Sequence, residues 1–481
     1  MRAAARLARS RAGACVGSRG CCCWGGAGVW RRRARAPARG GAGGGVAGGC
    51  ALFARGCPGC ADADAASAAL YTPPSLTNAR RDLAALLPPG SPPLEFELDS
   101  SSPALGSRRR ARLAVRAGAE EVEVGLFARR SHDVVDIVGA AAGGEECLVH
   151  HPAINAAARL VRRGCGACGV RGFVERAGRR RRKDAEASLR YLQLSVVEGG
   201  VEVVLVWDGA PGDAGASALE RLAAWLWERR GGGGEEGGLG LHSVWANFND
   251  SDGNAVLLYG PGRFVRLWPA PAAGDDLLSW VTFGDARVAF APGSFMQSNH
   301  QSFGALLKTL AGFVDEGNHV IDLYSGTGAI GLYLATHRSI SGLTAIESVS
   351  AAAAPFEASV AALPGRAVAA LEEVPQLEVC SLAEGIDARR LAAADVVVCD
   401  PPRRGLDTAA LEALLRTHPR RRLIYVSCGW KSFQRDCAAL LETGGYTLRY
   451  ARAFPFFAGT DSWETLAVFD SPAAEATPPG T

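Results

Sequence analysis

The sequence predicts an α/β protein with two parts, a strand-rich α+β domain followed by a C-terminal domain built on a mostly parallel sheet. Between about residues 94 and 283, short alternating strands are separated by glycines and charged turns. After Phe290 the pattern changes to apolar strands that alternate with amphipathic helices, which is typical of a doubly wound parallel sheet. The 481 residues, 48% of them hydrophobic, suffice for two or three domains.

The chain begins with a basic segment. Residues 1–61 contain eleven arginines and no acid, the first carboxylate being that of Asp62. Residues 1–46 also lack the apolar core of a secretory signal, so we predict an organellar transit peptide, for a plastid or a mitochondrion. The alternative is a disordered leader in a cytoplasmic protein, because an arginine bias extends through the whole chain. The net charge of +3 leaves 3 − 11 = −8 for the rest, so a nucleic-acid site must be a local patch.

A cysteine cluster follows the leader. Cys50, Cys57 and Cys60 form a C-x6-C-x2-C arrangement, and thiolates two residues apart can turn back onto one metal centre. A fourth ligand is needed, and the sequence offers Cys147 or the competing pair Cys165 and Cys168. From the spacing alone, zinc and an iron–sulfur cluster both remain open.

The strand-rich domain is predicted to span residues 47–285. Its clearest strands are expected at 112–115, 121–127, 134–137, 191–196, 201–207, 243–247 and 256–259, with helices at 152–163 and 218–228. Two arginine runs, 108–112 and 179–183, are candidates for phosphate contact, although either can be a solvated loop. Trp245, Phe248 and Trp268 can stack on unpaired bases, but such aromatic residues more often belong to a core.

The C-terminal domain is predicted to span 286–472, with a disordered tail at 473–481. A helix is expected near 301–313, and the run HVIDLYSGTGAIG from His319 then combines an apolar strand, an acid and a glycine-rich turn. This pattern indicates a nucleotide-binding βα turn, with Asp322, Gly326 and Gly328 as cofactor-binding candidates. Glu347 ends the next strand, where a carboxylate can accept both ribose hydroxyls. NAD and S-adenosylmethionine (SAM) both satisfy this geometry.

Two later strands end in groups suited to chemistry. The strand expected at 395–399 leads into Asp400-Pro-Pro-Arg-Arg-Gly, a rigid loop that favours methyl transfer over hydride transfer. The strand at 423–426 leads into Ser427-Cys428-Gly429, and such strand ends are where open α/β sheets present reacting groups. The alternative for Cys428 is a buried cysteine that packs as a small hydrophobic residue. Glu464 is a further candidate, because it lies between Trp463 and a final strand rather than on an open face.

Together these motifs resemble the RNA uracil-5-methyltransferase family, whose members use SAM to make 5-methyluridine in tRNA and rRNA. The resemblance rests on FMQSN at 295–299, DLYSGTG at 322–328, DPPRRGL at 400–406, YVSC at 425–428 and WET at 463–465. It implies a Rossmann-like SAM-dependent methyltransferase domain at the C-terminus. It also implies that Cys428 is the nucleophile and Glu464 the base, and it identifies four residues that contact SAM or the target base: Gln297, Tyr324, Glu347 and Asp400.

The resemblance also extends to the branch of the family that holds a [4Fe–4S] cluster, and it implies that the ligands are Cys50, Cys57, Cys60 and Cys147. The match is not complete. Six residues separate the first two cysteines where five are common, Ser325 stands where a cysteine is common, and Gly429-Trp430 stands where Asn-Pro is usual.

The expected activity is therefore methylation of a uridine at C5 in tRNA or rRNA. Because C5 is a poor nucleophile, the Cys428 thiolate must first add to C6, which requires a cysteine of lowered pKa and a flipped-out or loop uridine. Two alternatives stay open, a non-catalytic RNA-binding or RNA-chaperone protein of the same fold and an NAD-dependent oxidoreductase. We expect a monomer without a membrane segment, since no apolar run of about 18 residues occurs.

Overall fold

The computed structural model describes residues 51–60, 72–89, 91, 94–101, 103–138, 146–174, 188–212, 215–231, 240–251, 253–270, 277–384, 386–457 and 459–475. Four predicted features lie outside these residues: the leader, Cys50, the arginine run 179–183 and the end of the tail, 476–481. In the described part of the chain, no helix has the length and apolar character needed to cross a membrane.

The first half of the described chain contains four helices and seven strands. The helices are α1 (Ala51–Ala54), α2 (Ser75–Leu86), α3 (Pro152–Cys168) and α4 (Ala216–Glu228). The strands are β1 (Arg110–Ala117), β2 (Val122–Phe127), β3 (Val134–Asp136), β4 (Leu189–Val197), β5 (Gly200–Trp207), β6 (Leu241–Phe248) and β7 (Phe264–Trp268). They form one sheet in the order β3-β2-β1-β4-β5-β6-β7. Only β5 and β6 pair in parallel, with α4 as the crossover between them.

One predicted strand of this domain is wrong. Residues 256–259 form no strand, because the side-chain amide of Asn247 takes the place of a sheet partner. Asn247 Oδ1 accepts a hydrogen bond from the Leu258 N–H at 3.1 Å, and its Nδ2 donates to the Leu258 carbonyl at 2.8 Å. Backbone groups satisfied in this way need no neighbouring strand. The other six predicted strands and both predicted helices of this region are present.

The second half of the described chain contains nine strands and eight α-helices. The strands are β8 (Ser279–Phe283), β9 (Ala286–Phe290), β10 (His319–Leu323), β11 (Gly342–Glu347), β12 (Gln376–Val379), β13 (Val396–Cys399), β14 (Arg422–Ser427), β15 (Thr447–Phe454) and β16 (Glu464–Asp470). The helices are α5 (His300–Ala311), α6 (Ala329–His337), α7 (Ala353–Ala361), α8 (Gly365–Ala370), α9 (Ala388–Ala393), α10 (Thr408–Arg416), α11 (Trp430–Glu442) and α12 (Pro472–Glu475).

Strands β10 to β16 form a second sheet in the order β12-β11-β10-β13-β14-β16-β15. The first five strands of this order are parallel, and β16 and β15 are antiparallel to their neighbours. The strand order changes direction between β10 and β13, and open α/β sheets bind ligands at such a point, outside the carboxyl ends of the strands. The predicted fold class is confirmed.

Helix α2 packs against this second sheet, although the sequence assigns it to the range 47–285. Leu76, Leu83 and Phe96 belong to the same hydrophobic cluster as Tyr425 and Phe433. In the segment that follows α2, the Asp99 N–H donates to the Ala453 carbonyl at 2.7 Å, and this bond extends the outer edge of β15. A segment from the first half of the chain thus covers the edge of the C-terminal sheet. The boundary at 285/286 stays a prediction.

Candidate functional site

Four of the candidate residues lie at one edge of the second sheet. Tyr324 follows β10, Glu347 ends β11, Asp400 follows β13 and Cys428 follows β14. These strands are parallel neighbours, so their carboxyl ends meet at the same edge. The structure therefore brings together residues that the sequence spreads over more than a hundred positions.

Glu464 reaches this edge from the opposite chain direction. Strand β16 runs antiparallel to β14, and Ser427, the last residue of β14, pairs with Thr465 near the start of β16. Glu464 therefore begins its strand where Cys428 follows the end of the neighbouring one. The Glu464 side chain is buried, with 3% exposure, whereas Cys428 is half-buried.

The surroundings of Cys428 disfavour its thiolate. Burial, together with the negative charges of Glu464 and Asp400, raises the pKa of the thiol to about 12, while the nearby Arg403 acts in the opposite direction. The sequence-based mechanism requires a lowered thiol pKa, and the protein's own groups do the reverse. The main reason is the burial of the thiol, to which two negatively charged carboxyl groups add and which one arginine opposes only in part.

The two carboxyl groups of the site also have raised pKa values. Burial raises the pKa of Asp400 to about 7. Burial and the charge of Asp400 raise the pKa of Glu464 well above its usual value, against a lowering effect of Arg403. Among the described residues, nothing hydrogen-bonds the buried Oε2 atom of Glu464. A pKa of about 7 allows Asp400 to take and release protons near neutral pH, and the pKa of Glu464 is shifted in the same direction.

The cofactor-binding candidates surround the glycine-rich turn after β10. Glu347 accepts hydrogen bonds from the Gly326 N–H at 3.0 Å and from the Val349 N–H at 2.8 Å, which ties this turn to the end of β11. Asp322 is fully buried and accepts from the Gly331 N–H at 3.0 Å, and burial raises its pKa to about 7. Gly328 has a φ of +81°, and an added Cβ would lie 2.5 Å from the ring of Phe356, so only glycine fits there.

Tyr324 joins the glycine-rich turn to the loop that contains Asp400. Its backbone has a φ of +59°, which is uncommon for a residue other than glycine and is often found at functional sites. Its hydroxyl accepts from the Asp407 N–H at 2.9 Å and donates to Asp407 Oδ2 at 3.2 Å. The hydroxyl is therefore engaged within the protein, and the ring is the part that remains for a ligand.

Gln297 lies in the segment 291–299, which leads into α5. The next residues are well anchored: the Ser298 carbonyl accepts from the Arg109 N–H at 2.7 Å. Asn299 caps α5 by accepting from the Ser302 N–H at 3.0 Å, and its Nδ2 donates to the Pro455 carbonyl at 3.1 Å. Gln297 is half-buried between these attachments.

Sequence reasoning missed Arg403 and Asp436. Arg403 belongs to the DPPRRGL motif, and the sequence alone assigns it no role, yet it is the arginine whose charge acts on both Cys428 and Glu464. Asp436 is fully buried on α11, where its Oδ2 accepts from the Leu406 N–H at 2.9 Å and from the Tyr425 hydroxyl at 2.8 Å. It thus holds the end of the DPPRRGL loop. The signal was available, because Asp436 occupies a position of the apolar stripe formed by Phe433, Cys437 and Leu440.

Three of the predicted cluster ligands are buried in the hydrophobic core of the first domain. Cys57, Cys60 and Cys147 are all buried and belong to one hydrophobic cluster, while Cys50 is outside the described residues. Within the described ranges, no three His, Cys, Asp or Glu side chains are placed to hold a metal ion. The competing pair lies on α3, where Cys165 is buried and Cys168 is partly exposed.

The first arginine run, 108–112, divides between the interior and the surface. Arg110 is buried and donates to Gln193 Oε1 at 2.9 Å, whereas Arg112 is exposed and donates to the same oxygen atom at 2.9 Å. The candidate stacking aromatics are mainly packed within the protein: Phe248 is buried, and Trp268 stacks on Trp227 with ring centroids 6.0 Å apart.

The chain is similar in sequence to curated RNA methyltransferases. No family model matches the chain. An uncharacterised RNA methyltransferase of Protochlamydia amoebophila is 28% identical over 367 residues, which cover 76% of this chain and 86% of that protein. The 23S rRNA (uracil(1939)-C(5))-methyltransferase of Halomonas elongata is 27% identical over 383 residues, covering 76% of this chain and 66% of the relative.

A solved structure shows the same fold. The tRNA (uracil-54, C5)-methyltransferase of Pyrococcus abyssi, in complex with S-adenosyl-L-homocysteine, matches with a TM-score of 0.57 and 21% identity over 82% of both chains. These curated relatives are RNA methyltransferases, and this chain is similar to them in sequence over about three quarters of its length.

Proposed function

We propose that this protein is an RNA methyltransferase that transfers a methyl group from SAM to C5 of a uridine in RNA, through a temporary bond between Cys428 and C6 of the uracil ring. The observation that carries the proposal is the position of Cys428 and Glu464 at the same sheet edge, next to the glycine-rich turn. The Halomonas elongata relative is a uracil-C5 methyltransferase of rRNA, and the Pyrococcus abyssi structure is a uracil-C5 methyltransferase of tRNA, which supports RNA uracil as the substrate.

The proposed reaction uses the two groups in sequence. The Cys428 thiolate adds to C6, and the electron pair of the C5–C6 double bond moves toward the C4 carbonyl as an enolate. C5 then attacks the methyl group that SAM supplies. The Glu464 carboxylate takes the proton from C5, and the returning electron pair breaks the C6–S bond and releases the thiolate. The products are 5-methyluridine and S-adenosylhomocysteine.

The raised pKa values of Cys428, Asp400 and Glu464 are consistent with a site that binds a positively charged methyl donor. A sulfonium cation near Cys428, Asp400 and Glu464 stabilises the ionised form of each group, so its presence lowers all three pKa values. The thiolate then forms when the donor is in place. A base paired within a duplex lies out of reach of a sheet-edge site, so we expect a loop or flipped-out uridine.

A trapping experiment tests this function. RNA that carries 5-fluorouridine at the target has no C5 proton for Glu464 to remove, so the adduct should persist as a covalent protein–RNA conjugate at Cys428. The Cys428→Ala variant should bind RNA and form no conjugate. Cys380→Ala is the matched control, because Cys380 is an exposed cysteine at the far edge of the sheet. Methyl transfer to C5 by Cys428→Ala would contradict the proposal.

We also propose that Cys50, Cys57, Cys60 and Cys147 hold a [4Fe–4S] cluster. The support is chemical, because three of these thiols are buried in one hydrophobic cluster and soft sulfur ligands suit iron–sulfur centres. Cys50 lies outside the described residues, and the proposal depends on it. The reaction above needs no electron transfer, so the cluster's role is structural.

Iron analysis of anaerobically prepared protein tests the cluster. The wild type should contain about four irons per chain and absorb visible light. Cys57→Ser should lose most of the iron, whereas Cys165→Ser, a change in the competing pair, should retain it. Colourless, iron-free wild-type protein would contradict the proposal.

A further inference from the structure

We infer that Arg110 is a positioning residue for methyl transfer: from the first sheet its guanidinium holds the segment 293–296 and thereby fixes the position of Gln297, the next residue of the chain. The inference rests on the proposed function, because it treats Gln297 as a residue that contacts SAM or the target base. It assigns a role in the reaction to a side chain of the strand-rich domain.

The contacts of Arg110 reach across to the loop that precedes Gln297. Its Nη1 donates to the Met296 carbonyl and its Nη2 to the Gly293 carbonyl, both at 3.4 Å. Nη2 also donates to Gln193 Oε1 at 2.9 Å, which fixes the guanidinium on the first sheet. The planar fork can serve both carbonyls at once, and this is a geometry that lysine cannot reproduce.

The same loop has two further attachments to the first domain. The Tyr259 hydroxyl donates to the Gly293 carbonyl at 2.9 Å, so this oxygen accepts from two side chains. Gly293 has a φ of +81°, and an added Cβ would lie 2.3 Å from the ring of Phe264. The loop is therefore seated closely against the domain, with its glycine at the point of nearest approach.

Burial makes these contacts of Arg110 effective. The side chain has 9% exposure, and water therefore competes little for its donors. Its charge is attracted by Glu202, which is itself buried and accepts from Ser279 Oγ at 2.6 Å. The hydrogen bond to Gln193 and the charge of Glu202 hold the guanidinium of Arg110 in place, so its other N–H groups point to the loop in a fixed direction.

A double-mutant cycle tests whether Arg110 acts through Gln297. We would measure the transfer of labelled methyl from SAM to RNA for the wild type, Arg110→Met, Gln297→Ala and the double variant. Arg110→Met should lower kcat/KM by about tenfold, since small misplacements of a binding group cost about that much or more. In the Gln297→Ala background, Arg110→Met should lower kcat/KM by less than about twofold, because the side chain that Arg110 positions is already absent and the effects of coupled residues are not additive.

Arg112→Met is the control for coupling. Arg112 donates to the same Gln193 oxygen, and none of its hydrogen bonds within the described residues reaches the loop, so any loss that it causes should multiply with the loss from Gln297→Ala. Tyr259→Phe removes only a hydroxyl from a side chain that is 62% exposed, and it should lower kcat/KM by about threefold without affecting folding.

Three results would overturn the inference. The first is a folded Arg110→Met protein whose kcat/KM is within twofold of the wild-type value. The second is a double variant in which the losses from Arg110→Met and Gln297→Ala multiply. The third applies if Arg110→Met does not fold, and it is an unchanged kcat/KM for Tyr259→Phe. The cycle counts methyl groups transferred to RNA at any position, and mass spectrometry of the digested RNA identifies the modified atom separately. A methyl group found elsewhere than uridine C5 would refute the proposed function and leave the test of Arg110 intact.

Discussion

Ser427 pairs with Thr465 across β14 and β16, and this pairing brings the chain positions of Cys428 and Glu464 so near that the charge of Glu464 raises the pKa of the thiol. The pairing has little freedom, because a slip of one residue would turn every side chain of β16 to the opposite face of the sheet. Strand β16 is buried on both faces along nearly its whole length, so such a slip would move each side chain into a packed position shaped for a different residue. The packing of the sheet therefore fixes the two groups that the proposed reaction needs side by side.

Replacing Glu464 by glutamine should stop the reaction after methyl transfer. Without a base at C5, the methylated adduct cannot release the thiolate, so a covalent complex with ordinary uridine-containing RNA and SAM should accumulate. Denaturing gel electrophoresis of the mixture measures this complex. Glu357→Gln, a change on the exposed surface of α7, is the control and should show no accumulation. Normal turnover by Glu464→Gln would remove Glu464 from the mechanism.

The same substitution should stabilise the fold at neutral pH. The pKa of Glu464 is raised in the folded protein, mainly by burial. As the pH rises above about 4.5, the unfolded chain ionises first, and the wild type loses stability until the folded-state pKa is passed. Glu464→Gln avoids this loss, so it should raise the melting temperature at pH 7 by about 2–4 °C. The difference should shrink toward pH 4, where both forms are uncharged, and a lower melting temperature at pH 7 would contradict the pKa shift.

The order of motifs along the chain was sufficient to predict the C-terminal fold and the residues at its edge. Period-2 and buried-strand patterns located β10, β13 and β14, and parallel strands bring their ends together. The role of Asp436 could not be predicted in the same way, since Leu406 and Tyr425, which donate to its Oδ2 atom, belong to other elements. Likewise, the raised pKa of Cys428 depends on how deeply the thiol and its neighbours are buried. Burial is a property of the packed structure and is only weakly encoded by local sequence.

Alkylation should show that Cys428 is a slow nucleophile in the free protein. With a pKa of about 12, only about one thiol in ten thousand is ionised at pH 8, so iodoacetamide should react with it far more slowly than with an ordinary cysteine. Arg403→Gln should slow the reaction further, because the arginine lowers this pKa, and Asp400→Asn should speed it. Arg404→Gln is the control, since Arg404 is paired with Asp407 at 2.6 Å instead. Fast labelling of the wild type at pH 8 would contradict the raised pKa.

Gly429 should not tolerate a side chain. An added Cβ would lie 2.6 Å from the Arg403 carbonyl oxygen and 2.7 Å from Ser432 Oγ. Gly429→Ala should therefore push the DPPRRGL loop, which contains Arg403, away from position 429 and from the neighbouring Cys428. We expect a loss of about 1–3 kcal/mol of unfolding free energy and a fall in methyl transfer. Gly304→Ala on α5 is the matched control, because nothing lies within 4 Å of its added Cβ. It should stabilise the protein by about 0.5–1 kcal/mol, and urea denaturation measures both changes.

Removing Asp436 should release the DPPRRGL loop. Asp436→Ala leaves the Leu406 N–H and the Tyr425 hydroxyl without their acceptor in a fully buried place, which should cost about 3 kcal/mol of unfolding free energy. Tyr425→Phe is the comparison, because it removes one of the two bonds together with its donor and leaves no polar group unpaired; we expect about 1 kcal/mol. Methyl transfer, measured where both variants are folded, should fall much further in Asp436→Ala, because only this change frees the backbone of the loop next to Arg403. Equal losses of activity would mean that Asp436 stabilises the helix and sheet without positioning the loop.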